Sequence, residues 1–179
     1  MTYACRAIMI WSRKIIRLIK KDTMDIKLKT SESGQDFIKK CEGLRLSAYL
    51  DEAGYGTIGY GHKLTPQDTM SQITLPQAEA LFMHDLSIVE DCINEVVKIQ
   101  LNQNQFDALS DFTFNLGTGT LRYSPMLRLL NTGIHQDVAL QHWLLYDHVN
   151  GVVSTAIYNR RFMEVQIFKR GDEHAGKEC

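Results

Sequence analysis

The sequence predicts an α+β protein that is mostly helical and carries one small antiparallel sheet, and three observations support this. Leu44, Leu46 and Ala48 alternate with Arg45, Ser47 and Tyr49, the period-two pattern of a strand, and a turn and a second strand segment follow at once. From Thr65-Pro66 onward the apolar residues recur at helical spacing almost to the end of the chain. Residues that start helices, Ser33, Thr74, Asn102 and Ser124, stand directly ahead of apolar-periodic stretches.

In order along the chain, the first helix begins with Ser33 as N-cap and Asp36 in its first turn. Phe37, Ile38 and Cys41 form its inward stripe, and Gly43 ends it. Glu42 therefore falls at a helix C-terminus, where the helix dipole disfavours negative charge and helps a carboxyl keep its proton. The alternating stretch after it reads as a half-buried strand. Asp51-Glu52-Ala53-Gly54 makes the turn, and Tyr55 to Tyr60 returns as the second strand. Five of the twelve glycines, at 43, 54, 56, 59 and 61, fall within this stretch, so the backbone there turns repeatedly or is closely approached, as in a cleft wall.

Thr74 with Gln77 reads as a capping box with Pro76 in the first turn. It opens a long helix to about Lys98 that carries Leu81, Phe82, Leu86, Val89, Ile93 and Val97 inward. Asn102 with Gln105 opens the next helix, whose stretch from Phe112 to Phe114 is expected to be the most buried part. Asn115 to Thr120 breaks that helix. Ser124-Pro125 starts another that ends before Gly133, Val138 to Tyr146 forms a further one, Asn150-Gly151 is a tight turn, and Ser154 to about Lys169 is the last helix.

With 179 residues the chain is long enough to bury a sizeable core, and no run reaches the roughly 18 apolar residues of a spanning helix. Its formal net charge of −1 hides an asymmetry. Residues 1–30 hold eight Lys/Arg against two Asp, and the rest holds twelve against nineteen Asp/Glu. The acidic body argues against a nucleic-acid partner. In the basic segment, residues 6–21 place Ile8, Trp11, Ile15, Leu18 and Ile19 on one helical face. Six cations and no acid lie on the other. Such a helix suits peripheral contact with an anionic membrane surface; the rival reading is a disordered leader, with Met24 as an equally good start. Cys5, Cys41, Cys92 and Cys179 are widely spaced, with no CxxC pair, and read as reduced thiols.

Glu42 on a helix end and Asp51 in a turn across a short hairpin suit glycosidic cleavage, in which two carboxyl groups flank the scissile bond. On spacing alone, surface carboxylates on a hairpin would be the better reading. Glu42, Asp51 and Thr57, set in Glu-Gly-Leu-Arg-Leu-x-Ala-Tyr-x-Asp and Thr-Ile-Gly-Tyr-Gly-His, closely resemble the catalytic region of the phage-type lysozymes, the endolysin muramidases. Later blocks resemble the family in the right order: Thr74 to Phe82 with Asp85, Phe114-Asn115-Leu-Gly-Thr-Gly, Ser124 to Gly133, and Arg160-Arg161-x-x-Glu164.

The resemblance implies a lysozyme-like fold, with a small sheet lobe joined by a long helix to a helical lobe, over residues 31–171. Residues 1–30 form the leader and residues 172–179 a polar tail. It implies Glu42 as general acid, Asp51 as base or electrostatic partner, and Thr57 helping to hold the attacking water, in an inverting hydrolase cutting the β-1,4 bond from N-acetylmuramic acid to N-acetylglucosamine. Asn115 and Arg160 are the expected substrate-binding residues, Arg160 approaching Glu42, and His62 is expected to pair with Asp85 and tie the sheet to the long helix. No metal is expected, since His62, His84, His135, His142, His148 and His174 fit no ligand spacing, and no cofactor. The expected partner is peptidoglycan and the expected state a monomer, held in the host bacterial cytoplasm, or peripherally at the inner membrane, before release to the wall. Ala156-Ile157, where relatives often have Gly-Leu, departs from the pattern, as does Cys41 beside the acid, which reads as a small core residue.

Overall fold

The computed structural model describes residues 27–51, 54–149 and 151–170; the leader helix expected over 6–21, Cys5, Cys179, His174 and the polar tail lie outside them. Helix α1 spans Glu32–Glu42 and is capped by Ser31, whose Oγ accepts from the Gly34 N–H at 3.1 Å. The cap lies two residues before the one expected at Ser33. The cause is tertiary: Asp107 takes the Ser31 N–H at 2.9 Å and its hydroxyl as well, so the chain is anchored two residues earlier. Gly34 is what allows this approach, because a Cβ there would stand 2.7 Å from Asp107 Cγ.

Three strands follow, β1 Arg45–Leu50, β2 Gly56–Gly59 and β3 His62–Lys63, in antiparallel order β1-β2-β3. Tyr49 lies opposite Thr57 and Ile58 opposite His62, with a bulge between Arg45 and Tyr49. The half-buried face expected for β1 is absent: Leu46 is 40% exposed and Leu50 73%. The strand lies at the edge of the sheet, and burial goes to the central strand, whose Ile58 packs with Ile73 and Ala78.

Helix α2, Leu75–Val96, opens with the expected capping box, Gln77 Oε1 accepting the Thr74 N–H at 2.8 Å. It runs past three apolar clusters in turn. Ala78 meets the sheet, Phe82 and Leu86 meet Ile38 of α1, and Val89, Cys92 and Ile93 enter the main core. Helix α3, Gln103–Leu116, is capped by Asn102 and Gln105 in reciprocal bonds of 3.0 and 3.1 Å. Every residue from Gln105 to Thr113 is buried, so this is the central element of the helical lobe.

The chain then packs around α3 through α4 (Thr118–Tyr123), α5 (Pro125–Leu130), α6 (Gln136–Leu144), a two-stranded hairpin of β4 (His148–Val149) and β5 (Val152–Val153), and α7 (Thr155–Arg170). That hairpin was expected only as a turn. Trp143 of α6 lies wholly buried between Phe112 and Phe168, with ring centroids 5.1 and 5.6 Å away. Apart from α2, the helical lobe surrounds α3 on sides that include α7, and this packing brings the ends of α1, α3 and α7 together.

Candidate active site

Glu42 is the last residue of α1, because Gly43 leaves the helix at φ +72°. Its side chain is 18% exposed, so it faces a partly open space. One oxygen, Oε1, accepts from Arg160 Nη2 at 2.7 Å. The other faces Gly61, where a Cβ would stand 3.4 Å from Oε2 on a backbone at φ +90°. The helix dipole that opposes negative charge at this position is therefore met by a cation at hydrogen-bond distance.

Asp51 ends β1. Its Oδ1 accepts the Tyr55 N–H at 2.8 Å and its Oδ2 is ion-paired with Lys63 Nζ of β3. Thr57, 2% exposed at the start of β2, donates its hydroxyl to the Tyr55 carbonyl at 3.1 Å. The same residue, Tyr55, thus ties the aspartate to the threonine through its two backbone groups. His62 Nδ1 stands 2.8 Å from Asp85 Oδ2 on α2, joining the sheet to the long helix. A second tie lies beside it: Lys39 of α1 pairs with Glu79 of α2 at 2.5 Å, and Tyr60 donates to the same carboxyl at 2.9 Å.

Arg160 and Arg161 occupy adjacent positions on α7 and belong to a buried cluster. Arg160 Nε donates to Asp111 Oδ2 at 2.9 Å and Nη2 to Asp111 Oδ1 at 2.7 Å. Arg161 Nη2 donates to Glu164 Oε1 at 2.6 Å and to Asn115 Oδ1 at 3.0 Å, and Trp143 Nε1 donates to Glu164 Oε2 at 2.7 Å. Burial pushes the Asp111 carboxyl up, but hydrogen bonds from Glu164 and Arg160 outweigh it and hold the group below the usual carboxylate range. Burial, reinforced by the hydrogen bond to Asp111, drives the Glu164 carboxyl well above that range. Burial, then the Asp111 charge, raises the Cys41 thiol to about 11, so it stands beside the acid as an un-ionised side chain.

Of the residues singled out from sequence, Glu42 and Arg160 meet directly, Asn115 reaches the cluster through Arg161, and Asp51 and Thr57 share Tyr55. Asn115 is bound to protein on its oxygen side, which leaves its amide nitrogen as the group it can offer outward. Asp111 and Lys63 were not singled out. The signal for Asp111 was available, since a carboxylate in the apolar run from Ala108 to Phe114 requires a cation, and the Arg160-Arg161 pair supplies one. Nothing in the local pattern marks Lys63. Among the described residues no group of three or more His, Cys, Asp or Glu is arranged to hold a metal ion.

A family model described as phage lysozyme matches residues 39–164. The endolysin of Bacillus phage PZA is 35% identical over 146 residues, which is 80% of this chain and 56% of that protein. The endolysin of Salmonella phage P22 is 40% identical over 116 residues, 63% of this chain and 80% of that protein. Among solved structures, the muramidase domain of SpmX from Asticaccaulis excentricus superposes with a TM-score of 0.70 at 35% identity, covering 78% of this chain and 97% of that one. The chain spans little more than half the length of the Bacillus phage endolysins it matches.

Proposed function

The chain belongs to the phage lysozyme family, and from that premise we propose that it is an endolysin-type muramidase, hydrolysing the β-1,4 bond between N-acetylmuramic acid and N-acetylglucosamine in peptidoglycan. The observation that carries this reading is the position of Glu42: a half-buried carboxyl at a helix end, with one oxygen on Arg160 and the other close to Gly61, whose backbone at φ +90° favours glycine. In this reading Glu42 protonates the glycosidic oxygen as the bond breaks. Asp51, on the other side of the hairpin, serves the opposite face of the sugar as base or electrostatic partner, and Thr57 helps hold the attacking water. Arg160 steadies the acid, and Asn115 with its outward amide lines the saccharide site.

The test is mass analysis of the fragments released from purified walls. Hydrolysis leaves reducing-end muramic acid, whereas an anhydro end would assign the chain to lytic transglycosylation. Binding of walls with no fragment released would make it a glycan-binding module on the same fold.

A further inference from the structure

Three carboxyls, Glu42, Asp111 and Glu164, share two guanidiniums, Arg160 and Arg161, where α1, α3 and α7 converge. Glu42 alone among the three carboxyls has a task that requires it to hold and then release a proton, and its Oε1 accepts from Arg160 Nη2 at 2.7 Å. An uncompensated guanidinium at that distance favours the carboxylate and would strip an acid of its proton. Asp111 meets this difficulty. It is wholly buried and takes the whole Nε–Nη2 edge of Arg160, so that a single nitrogen, Nη2, gives one N–H to Asp111 and the other to Glu42. The geometry is a two-point clamp, and it fixes both the direction of that N–H and the charge behind it.

We propose that Asp111 is a positioning residue for the acid step: it aims Arg160 Nη2 at Glu42 Oε1 and cancels the guanidinium charge, so that Glu42 retains the proton it delivers. This rests on the muramidase reading. Asp111 can do this only while it is itself ionised, and its surroundings favour that: the Arg160 guanidinium beside it helps hold its carboxyl down, while burial drives that of Glu164 up. Glu164 is in turn held by Trp143 of α6 and by Arg161, and stands 3.8 Å from Arg160 Nε. The other titratable group facing the cluster is Cys41 of α1, whose thiol is un-ionised. From the sheet, Gly61, which brings no charge, lies close to Glu42 Oε2.

The experiment is a pH profile of kcat for fragment release from purified peptidoglycan, comparing wild type, Asp111→Asn and the double variant Asp111→Asn/Glu164→Gln. Asparagine preserves shape and an acceptor while removing the charge. The alkaline limb is expected to move down by about one pH unit in the single variant and further in the double variant, because Glu164, freed of its proton, replaces part of the lost charge in the first. Activity in the acidic part of the profile is expected to persist. A uniform loss at every pH, or an unmoved limb in both variants, overturns the proposal. Carboxyl 13C titration of the wild-type protein decides independently of activity and of whether the variants fold: Asp111 ionised and Glu164 protonated at neutral pH supports it, and the reverse overturns it. If wild type releases no fragments at any pH, the muramidase reading fails by itself while the titration still tests the charge arrangement.

Discussion

Replacing Glu42 by Gln separates the chemistry of this site from its architecture. The substitution keeps the size and the acceptor oxygen that meets Arg160 Nη2 at 2.7 Å, and removes only the transferable proton. Loss of a general acid lowers turnover by about 10²–10⁴-fold, a barrier increase of about 3–5 kcal/mol. The structural cost is much smaller. Arg160 keeps both bonds to Asp111, at 2.9 and 2.7 Å, so no buried charge is left without a partner and the roughly 3–5 kcal/mol expected for orphaning one does not apply. What is lost is at most the difference between a guanidinium hydrogen bond to a carboxyl and one to an amide at a partly exposed group, about 1 kcal/mol. That corresponds to a fall in Tm of about 2–4 °C for a domain of this size. Reducing-end release from purified peptidoglycan and thermal unfolding by circular dichroism measure the two quantities on the same preparation. Turnover within tenfold of wild type refutes the acid role. A Tm lowered by more than about 10 °C refutes the claim that Asp111 still compensates the Arg160 charge in the variant.

Gly61→Ala places a methyl 3.4 Å from Glu42 Oε2 on a backbone at φ +90°, so it is expected to lower kcat at least tenfold while costing only about 1–2 kcal/mol of stability; equal activity would remove Gly61 from the site. Glu79→Gln probes the tie between α1 and α2. The Lys39 hydrogen bond, against burial and with help from Tyr60, holds the Glu79 carboxyl below its ordinary value. A depressed folded value means stability that is present above the unfolded value of about 4.3 and lost as pH falls through the folded one. The Tm gap between wild type and variant should therefore be full at about pH 6 and close toward about pH 2, and a constant gap would count against the pairing. The basic segment 6–21 gives the last expectation. The full chain is expected to float with anionic liposomes at low salt, drawn at about 1 kcal/mol per basic residue near the surface. A chain starting at Met24 should not float, yet should digest purified walls equally well. Failure of the full chain to float removes the membrane reading.

The capping boxes at Thr74/Gln77 and Asn102/Gln105 were legible in the sequence because their hydrogen bonds close within three residues, and the same holds for the Gly43 stop that puts Glu42 at a helix end. The carboxylates Glu42 and Asp51 were legible through the order of residues around them, as was the helical character of the chain after the sheet apart from the β4–β5 hairpin. Elsewhere local pattern misled. The first cap moved from Ser33 to Ser31 because Asp107, more than seventy residues away, binds Ser31. The alternation in β1 did not bury a face, because burial in this sheet is decided by which strand lies in the middle.

The sequence by itself determined the α+β class, the two capping boxes and the place of Glu42 at a helix end, all properties set by bonds and steric limits a few residues long. Only the tertiary structure decided the surroundings of that carboxyl. Glu42 and Arg160 are 118 positions apart, and Arg160 and Asp111 are 49. Which buried carboxyl carries a proton and which a charge depends on how α1, α3 and α7 share one desolvated space, where every charge must be balanced by whatever the fold brings beside it.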